Sequence, residues 1–201
     1  MKKRMIEISL CVALVVSVIF SVADFNADCN DLRKDILRLH ILANSDSVED
    51  QEVKLLVRDA LLNCGNELFS GNTDIKSVKE TLNREQKELT CAANKVLRDN
   101  GFGYEAEIYL VNEYFSTRTY DDYTLPAGNY LALKVILGEG EGHNWWCVMF
   151  PPLCLPAATD EMDTDVYFNT RSESVIKSNP EYEIRFKIIE LIEKMKNKYG
   201  I

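Results

Sequence analysis

Histidine is almost missing from this chain: His40 and His143 are the two in 201 residues. Neither belongs to an H-x-x-H or H-E-x-x-H pair, and no C-x-x-C supplies the other half of a tetrahedral site, so neither a metal nor any other cofactor is expected. Cationic charge is short too. Lys and Arg number 23 against 32 Asp and Glu, a net −9. Phosphate contacts need clustered cations, so a nucleic-acid partner is not expected, and neither is an anionic membrane surface. There is no G-x-S-x-G and no P-loop. The glycines of Gly138–Gly142 lack the Lys-Ser/Thr continuation and following helix that would cradle a phosphate. No internal repeat is present, and nothing points to a small-molecule substrate.

What is present at the N-terminus is a secretion pattern. Met1-Lys2-Lys3-Arg4 is a basic head, Ile8 to Val22 is almost uninterruptedly apolar, and Ser21-Val22-Ala23 places small residues where a signal peptidase reads. Residues 1–23 are therefore expected to be a signal peptide or an N-terminal membrane segment, 24–34 a linker, and 35–201 one folded domain. At about fifteen residues the run is short of the roughly twenty that span a bilayer, so cleavage after Ala23 is the preferred reading, with an uncleaved anchor as the alternative. Cleavage would leave 20 basic against 31 acidic residues, a net −11. Membrane contact is expected only through this segment, if it is retained.

The remainder reads as α+β. Residues 35–43 alternate with the period of a strand. Asn44-Ser45-Asp46-Ser47 then stops it, and Ser47 with Asp50 has capping-box spacing, so a helix is expected to about Phe69. A second helix is expected from Asp74 to Asp99 with Thr73 as its cap. After Gly103 the period drops to two, giving strands at 104–115, 130–137 and 144–150, the last two joined by a Gly138–Gly142 hairpin loop. A final helix follows Asn179-Pro180, with Ile184, Ile188, Ile189, Ile192 and Met195 toward the sheet. The expected order is β-α-α-β-β-β-α, a mainly antiparallel sheet packed against helices in a single domain. Residues 156–178 read as a surface loop with one short strand at Val166–Phe168.

Both tryptophans lie within GEGEGHNWWCVMFPPLCL, residues 138–155. Adjacent residues on a strand face opposite ways, so Trp145 and Trp146 cannot share a side. With Phe150, Pro151 and Pro152 they are the residue types that anchor interfaces. Cys147 and Cys154 are spaced for a disulfide, for two metal thiolates, or for a nucleophile with a bystander; a disulfide is the preferred of the three. A secreted cysteine hydrolase using Cys147 with His40 or His143 is the competing reading, although an apolar setting does not favour a thiolate. Cys64 and Cys91 are expected as small buried apolar groups on helices.

Two segments, LRLHILANSDSVEDQEVKLLVRDAL (37–61) and LPAGNYLALKVILGEGEGHNWWCVMFPPLC (125–154), resemble the stage II sporulation protein R family of exported signalling proteins in endospore formers. The resemblance implies a noncatalytic messenger, secreted across the forespore membrane into the intermembrane space. There it would activate a membrane-embedded aspartic protease that processes the precursor of the mother-cell sigma factor. By carry-over, Asn44, Ser45, Asp46, Trp145, Trp146, Cys147, Pro151, Pro152 and Cys154 are the positions expected to matter.

Overall fold

The computed structural model describes residues 2–72, 74–120, 123–152, 175 and 183–199. They fall into two compact units, one formed by residues 1–32, 115–128 and 169–201 and the other by 33–114 and 129–168.

The larger unit is built on strand β1 (Leu37–Leu42). After it come helices α2 (Val48–Leu68) and α3 (Ile75–Asp99), with helix α1 (Lys2–Lys34) preceding it in the chain. Then follow β2 (Ala106–Phe115), β3 (Arg118–Tyr120) and β4 (Tyr123–Leu125), which form a hairpin within the smaller unit, and β5 (Gly128–Leu137) and β6 (Asn144–Phe150). The α+β class is as expected from the change of period. The sheet order is β2-β5-β1-β6. β1 runs parallel to β5 and antiparallel to β6, so the sheet is mixed. Alternation reports which face a residue occupies but not which strand lies alongside, so the parallel pair was invisible in the sequence.

That order also replaces the expected hairpin. β5 and β6 lie on either side of β1, so residues 138–143 form a crossing over the C-terminal end of β1 rather than a tight turn between neighbours. Gly138 and Gly140 have φ of 56° and 67° there, a region that other residues rarely adopt.

One face of the sheet carries the core. Leu37, Leu39 and Ile41 of β1, Leu133 and Val135 of β5, and Cys147 and Met149 of β6 pack with Val53, Val57 and Leu61 of α2 and Leu82, Leu89 and Leu97 of α3. Ser47 caps α2 by accepting the Asp50 backbone N–H at 3.2 Å, as its spacing predicts. The cap of α3 is Asp74, whose carboxylate accepts from Lys76 N and Ser77 N; Thr73, expected in that role, lies outside the described residues. Asp is as good a cap as Thr, and the choice turned on one residue of register. Cys64 packs at the core margin, whereas Cys91 is an exposed thiol on α3, on the solvent side of the stripe that buries Leu89 and Ala93.

In the smaller unit α1 is a continuous helix of 33 residues. Residues 24–34, expected as a linker, prolong it and bury Phe25, Cys29 and Leu32. Phe25 meets Phe186 of the C-terminal helix α4 (Glu183–Tyr199) edge-on, with ring centroids 5.4 Å apart. In α4 the buried side chains are Phe186, Ile189 and Glu193; Ile184 and Met195, expected toward the core, are exposed. The helix is apolar on two sides, and periodicity cannot say which one a neighbour covers. The expected cap at Asn179-Pro180, the strand at 166–168 and Cys154 lie outside the described residues.

Leu39, fully buried on the central strand, is the sharpest probe of this core. Leu39→Ala should lower unfolding free energy by about 2–5 kcal/mol, read from the urea midpoint at unchanged slope.

Candidate functional site

At the C-terminal end of β1 the turn Ala43–Asp46 and the crossing 138–143 are laced together. Main-chain bonds run from Glu141 N to Asn44 O at 3.2 Å and from Gly142 N to Ala43 O at 2.9 Å. Side chains add to them. Asn44 accepts from Glu139 N at 3.0 Å, while the Asp46 carboxylate accepts from His143 N at 2.6 Å and also meets the His143 ring at Nδ1. A Cβ on Gly138 would run into the Asn44 amide, and one on Gly142 into the Ser45 carbonyl. The glycines are needed for close approach as much as for turning.

Asp50, in the first turn of α2 and almost fully buried, ties this lacing to the helix. Its Oδ2 accepts from Asn44 Nδ2 at 2.8 Å and from Ser45 Oγ at 2.5 Å, and its Oδ1 accepts from the Tyr104 hydroxyl at 2.5 Å. Burial pushes the carboxyl's pKa up, but donors from Ser45, Tyr104, Asn44 and Ser47 outweigh it, and the net is below the ordinary 3.8. Burial, with the Asp50 contact added to it, holds the Tyr104 phenol well above its usual range.

One turn further along α2, the buried Lys54 donates to Gln51 Oε1 at 2.5 Å and to His143 O at 2.9 Å. Burial lowers its pKa, and Asp46 partly restores it. Hydrogen bonds from His143, the backbone N–H foremost, hold Asp46 below the usual carboxylate value.

The opposite face of the sheet is polar at its centre. His40 is buried, with Nδ1 2.7 Å from Glu113 Oε2 and Nε2 2.8 Å from Asn144 Oδ1, and Lys134 donates to Glu113 at 3.2 Å. The Trp146 ring stacks on the imidazole at 3.6 Å between centroids. Arg38, fully buried on the same face, donates from Nε to Cys147 O at 3.1 Å. Trp145 turns the other way, toward the core, and the Arg58 guanidinium lies 4.6 Å from its ring centre.

The two indoles therefore take opposite faces, as a strand demands, and each is half-buried against a named partner. Phe150, named among the interface-anchor candidates, is buried and meets Phe69 edge-on at 6.2 Å: it stands opposite Leu37 in the register, where β6 shifts by one residue and turns it inward. Pro151 is buried and Pro152 half-buried. Asn44 and Ser45 shape the turn, and the exposed side chains around it are Asp46, Glu139, Glu141 and His143.

A hydrolytic dyad is not assembled here. Cys147 pairs with Leu39 and lies in the core cluster, whereas His40 is on the other face with both ring nitrogens occupied. His143 turns Nδ1 to Asp46. Among the described residues no group of three or more His, Cys, Asp or Glu is placed to hold a metal ion. Cys11, Cys64 and Cys91 are free thiols, Cys29 is buried, and the expected partner of Cys147 lies outside the described residues.

Asp50, Tyr104, Lys54, Glu113 and Lys134 were not legible as site residues. Only the Ser47–Asp50 spacing hinted at the first, because each acquires its role through a partner at least 20 positions away or on a different face.

Replacing Asp50 by Ala should cost about 3 kcal/mol, since Asn44, Ser45 and Tyr104 lose a charged acceptor. The folded pKa is depressed, so the carboxylate's contribution is complete above its unfolded value and is lost as pH falls through the folded one. Urea midpoints measured from neutral to acid pH should fall more steeply for the parent than for Asp50→Asn.

The family model described as stage II sporulation protein R (spore_II_R) matches residues 33–160. The stage II sporulation protein R of Bacillus subtilis (strain 168) is 37% identical over 121 residues, 59% of this chain and 53% of that protein. The chain's match thus spans about half of that relative's length. No solved structure matches. The chain belongs to the stage II sporulation protein R family.

Proposed function

We propose that this member of the stage II sporulation protein R family is an exported messenger. On this reading it crosses the forespore membrane, reaches the intermembrane space, and activates a membrane-embedded aspartic protease that processes the mother-cell sigma factor precursor. The carrying observation is that the family match, residues 33–160, encloses both halves of the laced turn. The two segments most particular to the sequence are therefore the two that hydrogen bonds bring together. The apolar run of α1, 18 residues of which have a mean hydropathy of 2.5 with none buried, supports export or anchoring.

A messenger of this kind acts by binding the protease's active state more tightly than its inactive one. Asp46, Glu139, Glu141 and His143 offer it a rigid, exposed, acidic rim. Trp145 and Trp146 stiffen the strand beneath, and Asn44 and Ser45 hold the rim in shape. Pro151 and Pro152 shape the end of that strand. The reading requires no catalytic group on the chain itself.

Co-expression in a non-sporulating host tests it. The full chain, the protease and the sigma precursor together should yield processed sigma factor on an immunoblot. Equal processing with the chain omitted would sink the proposal. Asp46→Ala with His143→Ala should reduce processing while the far-ultraviolet circular dichroism stays unchanged.

A Cys147–Cys154 bridge belongs to the same reading, closing a short loop at the end of β6 and stabilising it by roughly 2–3 kcal/mol. Cys147→Ala with Cys154→Ala should then lower the melting temperature, and any loss of signalling should track that drop. Full signalling at an unchanged melting temperature would remove the bridge from the account.

A further inference from the structure

The charge of α4 has the opposite sign to that of the chain. Within Glu183–Tyr199, Arg185, Lys187, Lys194, Lys196 and Lys198 face three glutamates, a local +2 in a protein of net −9. The arrangement of those cations is specific. At 3.6 residues per turn, Ile184, Ile188, Leu191, Met195 and Tyr199 fall within about 80° of arc. Four of them are well exposed, at 73% for Ile184, 61% for Leu191, 53% for Met195 and 63% for Tyr199. Lys187, Lys194 and Lys198 border this stripe on one side, Arg185 and Lys196 on the other. Phe186, Ile189 and Glu193, the buried side chains, occupy the far side. A helix that merely covered a core would place its polar residues opposite its buried face; here that position is apolar and its rims are cationic.

A second observation says what covers the stripe. α1 belongs to the same compact unit as α4, and its residues Met5 to Phe20 expose one large apolar side chain after another. The contact between the two helices lies just beyond that run, where Phe25 meets Phe186 and the Arg185 guanidinium stands 5.8 Å from the Phe25 ring centre. The second residue past Ala23 is thus where α4 and its first cation sit. That is headgroup depth for a helix whose apolar part is in lipid.

We infer that α4 is an interfacial helix which lays its Ile184–Tyr199 stripe into the surface of an anionic lipid bilayer, with its lysines and Arg185 at the phosphates. Whole-chain charge argues against such a surface, but the Debye length of about 8 Å at physiological salt makes the charge within one helix the relevant one. The inference takes the anchor alternative, with α1 retained rather than cleaved after Ala23, and is independent of the protease reading: it concerns where the chain rests, not what it activates.

The test uses the full chain reconstituted in nanodiscs of phosphatidylglycerol or of phosphatidylcholine, with hydrogen–deuterium exchange followed for 183–199. α1 is embedded in both lipids, so a difference between them reads the surface contact alone. Exchange should be slower on phosphatidylglycerol, the protection should fade with added salt, and each cation removed should weaken it by about fivefold. Lys187→Glu with Lys194→Glu and Lys198→Glu should abolish it. Leu191→Ser with Met195→Ser, on the exposed face, should do the same with the circular dichroism unchanged. Equal exchange in the two lipids would overturn the inference. So would protection that ignores lipid charge and grows with chain concentration, which would mark the stripe as a contact between two copies.

Discussion

One buried carboxylate organises the larger unit. Asp50 stands at the start of α2, so its position is set by the helix, and the groups it accepts from come from the turn after β1 and from Tyr104 ahead of β2. A charge taken out of water is tolerated only when its lone pairs are filled, so Asn44, Ser45 and Tyr104 have little freedom to leave. Asn44 in turn holds Glu139 N with its amide oxygen. Through that one side chain, the helix, the end of the central strand and the crossing between β5 and β6 share a single geometry. Lys54 repeats the device one turn along, with a buried amine in place of a carboxylate.

This arrangement explains why the exposed rim can be stiff without being large. Asp46 and His143 are solvent-facing, yet each is attached to backbone that the Asp50 and Lys54 contacts already hold. A partner that binds there would have little ordering to impose. The opposite face shows the same economy: His40 is fixed at both nitrogens and capped by Trp146, so the indole that a surface reading would leave loose is stacked in place.

Local features of the fold were legible in the sequence. The Ser47 cap, the apolar stripes of α2 and α3, the strands at 37–42, 106–115 and 144–150, and the opposed indoles all follow from periods and spacings of a few residues. What was not legible depends on placement. Alternation in β1 could not reveal that β5 and β6 lie on its two sides, so residues 138–142 read as a hairpin. Which way Phe150 faces was not legible, because a one-residue shift in the β6 register is invisible in the residue pattern. Asp50 read as part of a cap and Lys54 carried no signal, since the contacts to Tyr104 and to His143 O that complete their burial come from distant positions. The hairpin β3–β4 is too short for period two to register. The charge of α4 was hidden in the other direction, averaged away by an acidic chain.

The place of β1 in the sheet has a consequence for how the chain must assemble. Its residues 37–42 pair with 131–136 on one side and 144–150 on the other, so the strand made first is the one completed last. Roughly ninety residues have to emerge before either neighbour exists, and such long loop closures slow folding. A polypeptide threaded N-terminus first through a translocation pore would keep its central strand unpaired for most of the passage. The topology itself would hold the chain open until residue 150 of 201 had crossed.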